Sequence, residues 1–362
     1  MKRREFLKAA SVGVVGSAAV AAPAIAQSAP TVRWRMASSF PKTLDLLYGA
    51  GEVLSKAVAE LTDGKFQIQV FAAGEIVPGL QALDATQNNV VEICHTAAYY
   101  YVGKNPAWAL GTHIPFGLNT RQQNAWAYHG EGKDLLAEFF RKAGVVGLPA
   151  GNTGCQMGGW FRKELKSVED LKGLKFRMSG LGGQIIAKLG GVPQQIGPAD
   201  IYPALERGTI DAAEFSGPHD DERLGLFRVA PFYYYPGWWD GTSMEHFFIN
   251  NDQWEKLPKA YQAALTTAAG LVNVDTVARY DVLNPPALRR LVEKGTQLRP
   301  FPQEMVAAAY KAAMELYSDL SKTNPDFKKL YDSMRKFQLE SNPWYQASEY
   351  SYDSVMLRNV KG

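Results

Sequence analysis

LKGLKFRMSGLGGQIIAKLGGVPQQI, residues 171–196, alternates between two kinds of pattern. Residues 174–178, LKFRM, read as a short apolar strand ending at Ser179-Gly180. Residues 185–189 read as a helix, and Val192-Pro193 opens another short strand. DIYPALERGTIDAAE then repeats the order of events. Asp200 is placed to cap a helix, Pro203 lies in the first turn where proline is tolerated, Gly208 ends the helix, and residues 209–214 form a strand. Strands and helices in alternation call for a mostly parallel sheet covered by helices.

The pattern extends upstream. Residues 32–37 alternate as a strand, Leu47, Ala50, Leu54, Val58 and Leu61 share one helical face, and Phe66, Ile68 and Val70 mark a second strand. A helix near 80–87 and strands near 90–96 and 145–148 follow. Downstream the chain turns helical. Residues 258–274 form one amphipathic segment, and Val306, Ala309, Tyr310, Ala313, Tyr317 and Leu320 line another that Asn324-Pro325 stops. Phe327, Leu330, Tyr331, Met334 and Phe337 line a third. The aromatic tail NPWYQASEYSYD is expected to pack on something. The fold class is therefore α/β with two lobes, mostly parallel sheets, a cleft between the lobes and long C-terminal helices. The expected division is 27–150 for the first lobe, 151–245 for the second, and 246–362 for a return strand and a helical region packing on both.

Residues 1–26 read as an export signal. A basic start (Lys2, Arg3, Arg4) precedes a weakly apolar Ala/Val run that ends at Ala24-Ile25-Ala26, and RREFLK fits the twin-arginine pattern. An uncut anchor or an amphipathic helix is the alternative. The 362-residue chain retains 336 residues without this segment, enough for two lobes. Residues 1–26 carry Lys2, Arg3, Arg4 and Lys8 against Glu5, a net +3 equal to that of the whole chain, so the remainder is near neutral. That argues against a nucleic-acid partner. Cys94 and Cys155 form no CxxC and read as buried apolar residues, with a disulfide as the alternative. Five histidines without an i,i+4 pair give zinc little support.

Ligands of open α/β sheets bind beyond the carboxyl ends of strands. The groups expected there are Tyr99-Tyr100-Tyr101, Asn152 with Gln156, Arg177, and Glu214. Arg177 in an apolar strand needs an anion, either a ligand carboxylate held by its planar fork or a protein carboxylate. Glu214, amid Ile210, Ala212 and Phe215, and Asp240, behind Trp238 and Trp239, are buried acids that want a cation. Oxygen from these and from the Gln156 amide suits Na⁺ or Ca²⁺. Asp220, Asp221 and Glu222 after Gly217-Pro218 read as a helix start on a solvated face. Catalytic signatures are weak: SGLGG lacks the third glycine of GxGxxG because Ile185 stands there, and no Walker loop or GxSxG is present.

The twin-arginine signal, LKGLKFRMSG, KLGGVPQQI, DIYPALERGTIDAAE and PGWWDG together resemble the solute-binding subunits of TRAP transporters of the DctP type, across essentially the whole mature chain. GNTGCQMGGWF and YYYPGWWDG look closest to the branch that binds 2-oxo or 2-hydroxy acids through a bridging Na⁺ or Ca²⁺. The resemblance implies a periplasmic-binding-protein-like fold, a periplasmic location, delivery to membrane permease subunits, and a homodimer through a swapped C-terminal helix. It places the ligand's carboxylate on Arg177 and an amide donor on Asn152. The cation ligands fall on Gln156, Glu214, the carbonyl of Phe215, and Asp240. An aromatic hydroxyl falls within residues 99–101, with Tyr101 preferred over Tyr100. Phe215 and Asp240 depart from the Trp and Glu of relatives. The alternatives are an exported metal-dependent enzyme acting on 2-oxo acids, and a receptor without a transport role.

Overall fold

The computed structural model describes residues 30–360; the export signal read in residues 1–26 lies outside them. One five-stranded sheet contains β1 (Val32–Ser38), β2 (Phe66–Phe71), β3 (Ile93–Thr96), β4 (Val145–Asn152) and, from much later in the chain, β10 (Met244–Asn250). The order is β2-β1-β3-β10-β4. A second sheet holds β5 (Gly159–Phe161), β6 (Lys175–Arg177), β7 (Val192–Gln194), β8 (Ala212–Ala213), β9 (Phe232–Tyr235) and β11 (Gln297–Pro300), in the order β11-β9-β5-β8-β6-β7.

Both sheets are mixed. β1 is parallel to β2 and β3, β6 to β7 and β8, and β9 to β11. The antiparallel neighbours are β10 with β3 and β4, and β5 with β8 and β9. β5, β10 and β11 each follow a crossing from one sheet to the other; the first two insert antiparallel, β11 parallel to β9. Local alternation specifies a strand and its helix, but not the direction in which a strand arriving from another lobe will insert.

Three other expectations change. The strand read over 209–214 contracts to Ala212–Ala213, and Asp200 stands at the N-cap without a side-chain hydrogen bond. The helix read over 258–274 runs unbroken over Lys259–Glu293, straight through Pro285 and Pro286. An interior proline costs about 3 kcal/mol. Here the apolar stripe continues past Val272 through Thr276, Tyr280, Ala287 and Leu291, all buried, so tertiary packing outweighs the break.

That 35-residue helix joins the two bodies. It packs on β4 and on helix Leu47–Leu61 at one end, on helix Pro218–Leu224 further along, and hands the chain to β11. Helix Gln303–Thr323 lies against helix Gly180–Lys188 in the second lobe, and helix Pro325–Tyr345 against helices Thr120–Tyr128 and Gly132–Lys142 in the first. Asn324 ends one and caps the other through Phe327 N at 2.8 Å. Among the described residues no helix is long and apolar enough to cross a membrane.

Candidate functional site

The chain passes between sheets through residues 153–158 and returns through residues 236–243, and these two crossings are laced together. Gln156 N donates to Asp240 O (3.0 Å), Gly237 N to Gln156 O (3.1 Å) and Thr153 N to Ser243 O (3.1 Å). The glycine of PGWWDG is required by this approach, since a Cβ on Gly237 would stand 2.6 Å from the Gln156 carbonyl oxygen. Strand ends β6 and β8 present Arg177 and Glu214 to the same place, and residues 98–101 and His113 close it from the first lobe.

Arg177 is fully buried and meets both of its expected partners halfway. Its Nη1 donates to Glu214 Oε2 at 2.9 Å and also to the Glu214 carbonyl, its Nε donates to Ile196 O at 3.2 Å, and its centre lies 5.5 Å from the Phe215 ring. The ion pair with a protein carboxylate is therefore formed, yet buried Nη2 has no partner. Asn152 shows the same half-use: Oδ1 accepts from Gly154 N (2.9 Å) and Thr242 Oγ1 (2.8 Å), while buried Nδ2 is unpaired. Native structures rarely leave such donors orphaned, and these two suit an anionic oxygen ligand.

Beside them four oxygen-bearing groups converge. One end of the Gln156 amide lies 2.7 Å from Asp240 Oδ2, 3.1 Å from Glu214 Oε1 and 3.0 Å from the Phe215 carbonyl oxygen; its other end faces Thr153 Oγ1 at 2.9 Å. His113 Nε2 contacts the other Asp240 oxygen. Burial first, and the Asp240 charge next, push Glu214 well above the usual carboxylate range, with Arg177 opposing. Oxygens held 2.3–2.6 Å from a hard cation stand about 3 Å from one another, which is the spacing present. Among the described residues no group of three or more His, Cys, Asp or Glu could hold a metal ion. This set has two carboxylates and is completed by amide and carbonyl oxygen, the donors of Na⁺ and Ca²⁺ rather than of zinc.

The residues expected from sequence do not all meet. Arg177, Glu214, Phe215, Gln156 and Asp240 are brought together. The Tyr101 hydroxyl is instead engaged with Thr96 Oγ1 (2.9 Å) and Leu83 N (3.1 Å). Tyr99 packs edge-on against Tyr100 and His113, and Gln195 reaches across from the second lobe to the Tyr100 carbonyl at 2.6 Å. Asp220 and Asp221 do start a helix but are buried, not solvated. Tyr280 donates to Asp220 (2.6 Å), and Trp160 (2.9 Å) and Tyr233 (2.7 Å) donate to Asp221, partners that sequence spacing does not reveal. Burial pushes Asp220 up to about 7 and Asp221 to about 6. Glu222 alone of the three meets surface cations, Arg290 and Lys294. Both cysteines are free; Cys94 is buried but Cys155 is exposed. A larger depression of about 580 Å³, lined by Glu131, Lys329 and Lys336 among others, is open to solvent and holds none of the unpaired buried groups.

Glu245, one residue into β10, passed unnoticed in the sequence. Ser243 donates to its Oε1 at 2.9 Å and its Oε2 is unpaired. Burial holds its carboxyl up at about 8 from an ordinary 4.5, so the folded chain keeps a proton that the unfolded chain releases. Stability therefore falls as pH rises from 4.5 to 8. Glu245→Gln, which still accepts from Ser243, should stabilise by on the order of 2–4 kcal/mol above pH 8 and by nothing at pH 4. Urea unfolding at the two pH values measures this; an equal gain at both would refute it.

Among known proteins, the family model for bacterial extracellular solute-binding proteins, family 7 (DctP), matches residues 37–324. A monocarboxylate 2-oxoacid-binding periplasmic protein of Nostoc sp. is 46% identical over 359 residues, 98% of each chain. A TRAP transporter solute-binding protein from Bordetella bronchiseptica RB50 has a TM-score of 0.90 at 49% identity, covering 91% of this chain and 98% of its own. It was crystallised as a mixed-occupancy dimer with copurified calcium and picolinate. A TRAP periplasmic solute-binding protein from Pseudoalteromonas atlantica T6c, with bound sodium and pyruvate, has a TM-score of 0.87 at 34% identity, covering 91% and 100%.

Proposed function

The chain belongs to the DctP family of bacterial extracellular solute-binding proteins, and from that premise we propose that it captures a small 2-oxo or 2-hydroxy monocarboxylate in the periplasm and delivers it to TRAP permease subunits. The observation that carries this reading is the pairing of two unlike half-sites. Buried Arg177 Nη2 and Asn152 Nδ2 are unpaired donors of the kind a carboxylate would use, and Gln156, Glu214, the Phe215 carbonyl and Asp240 form an oxygen cage beside Arg177. Pyruvate in one relative and picolinate in another both carry a lone-pair acceptor on the atom next to the carboxylate. An acid of that kind reaches both half-sites at once. A bound Na⁺ or Ca²⁺ would supply the positive charge that Arg177 alone does not provide for two buried carboxylates, and would grip the ligand's 2-oxygen.

The remaining work falls to the chain itself. Arg177 orients the carboxylate in the plane of its fork, Asn152 donates beside it, and Tyr99, Tyr100 and His113 exclude water from the first-lobe side. Because Gln156 and Asp240 sit on the two crossings while Arg177 and Glu214 belong to the second lobe, contacts to all of them would favour the closed arrangement of the lobes. The family is one of binding proteins, which removes the exported enzyme. A thermal-shift screen of pyruvate, lactate, propionate and a dicarboxylate, each with and without Na⁺ and Ca²⁺, tests the reading. Equal stabilisation by propionate and pyruvate, indifferent to cation, would rule it out.

The same reading includes a homodimer. After residue 345 the chain continues through one wide turn into helix Ser351–Asn359, and Trp344 (65% exposed), Tyr350 (69%) and Leu357 (81%) find no cover in their own chain. Apolar area of this kind marks an interface, and a second copy is its occupant. Light scattering at micromolar concentration should give twice the chain mass, and truncation after residue 343 should give the monomer. A full-length monomer would count against it.

A further inference from the structure

The buried Gln156 amide lies between two environments of opposite demand. On one side are three oxygens that only accept while the acids are ionised, on Asp240, Glu214 and the Phe215 carbonyl. On the other is the hydroxyl of buried Thr153, at 2.9 Å. A hydroxyl both donates and accepts, so it satisfies the amide whichever way round it stands. With its NH₂ toward Thr153, the amide is the fourth oxygen of the cage, and the hydroxyl proton goes to the Gly154 carbonyl at 3.1 Å. Turned by half a revolution, the NH₂ donates to all three cage oxygens at 2.7, 3.1 and 3.0 Å, and Thr153 donates to the amide oxygen at 2.9 Å.

Resting on the cation reading above, we propose that Thr153 is the pivot of a two-position amide. Gln156 turns its oxygen into the cage when a cation is there and its NH₂ when none is. The cation-free protein is thereby spared a cluster of mutually repelling oxygens, because the amide donors take the place of the positive charge. Thr153 is a positioning residue, touching neither solute nor cation. Glutamate or methionine in its place would lose this property: glutamate supplies no donor, and methionine no oxygen.

Thr153→Val keeps the shape and removes the hydroxyl. The cation-free position keeps both N–H groups directed at the three cage oxygens and loses the bond that Thr153 donates to the amide oxygen. The cation-filled position takes from the buried amide NH₂ its one acceptor, the costlier omission. The calcium or sodium concentration giving half-maximal thermal shift, without organic solute, should rise about ten- to a hundredfold, the usual effect of losing a group that orients a metal ligand. Pyruvate affinity at saturating cation should stay near the parent's, and Thr153→Ser should restore the parent behaviour. A half-saturation within twofold of the parent would overturn the pivot, as would a serine variant behaving like valine. If the valine variant does not fold, ¹⁵N-labelled parent decides. The Gln156 side-chain NH₂ resonances should move on titrating calcium chloride alone, and resonances that stay fixed while calcium stabilises the protein would overturn the proposal. A parent that shows no cation effect at all would instead refute the cation site itself.

Discussion

Arg177→Lys is expected to lower affinity for the carboxylate solute by at least about a hundredfold, roughly 2.8 kcal/mol, while the protein stays folded. Lysine rather than alanine is the informative change because Arg177 is one half of a buried pair with Glu214 at 2.9 Å. Removing the charge strands Glu214 and Asp240 together, which costs about 3–5 kcal/mol and confounds binding with folding. Lysine keeps a cation against Glu214 but is a single point donor. It cannot hold Glu214 and also present the second nitrogen that Nη2 now offers unpaired. Titration calorimetry on the variant, with a circular dichroism melt as the fold control, gives the answer. Affinity within a few-fold of the parent would place the carboxylate elsewhere.

Stripping the cation should have an effect of similar size. After chelation and exhaustive exchange into sodium-free buffer, pyruvate affinity is expected to fall at least about a hundredfold, and restoring Ca²⁺ or Na⁺ should recover it. Propionate, which has a carboxylate but no oxygen at position 2, should bind weakly in every buffer, because it meets Arg177 and Asn152 but brings nothing to the cage. The two halves of the result separate the two half-sites. Cation-independent pyruvate binding would leave Glu214 and Asp240 as ordinary buried acids. Propionate binding as tightly as pyruvate would leave the carboxylate clamp standing alone.

The local reading of the sequence reached far in the fold and unevenly in the site. The short strand before Ser179-Gly180 follows from an apolar run closed by breakers, the strand read over 145–148 extends to Asn152 inside GNTG, and Gly208 ends its helix in the left-handed region at φ 71°. What failed is non-local. The strands that insert antiparallel, β5 and β10, depend on where a crossing delivers them. The helix that passes Pro285 is held by contacts with residues far off in the chain, such as Asp220, sixty positions from Tyr280. Arg177, Glu214, Gln156 and Asp240 were legible because a charge or amide in apolar surroundings demands a partner. Glu245 sits in MEHFFIN beside His246, and Asp220 sits beside Asp221 and Glu222, so neither acid looks isolated or apolar-flanked. Position within residues 99–101 was not decidable either, because three adjacent tyrosines differ only in where a short 3₁₀ turn aims them.

The placement of half of the cage, Gln156 and Asp240, on the two strand crossings has a consequence for anyone redesigning this chain as a fluorescent reporter of metabolites. Where selectivity-setting residues and flexing residues are separate, one set can be altered and the other left alone. On the function proposed above, Gln156 and Asp240 would do both jobs: their side chains would select the solute through the cation, and their backbone, laced through Gly237, ties the two crossing segments together. A substitution that retunes selectivity at either position also resets how far open the empty protein rests. Signal amplitude and selectivity will therefore drift together across a mutant library, and a variant chosen for one must be rescreened for the other.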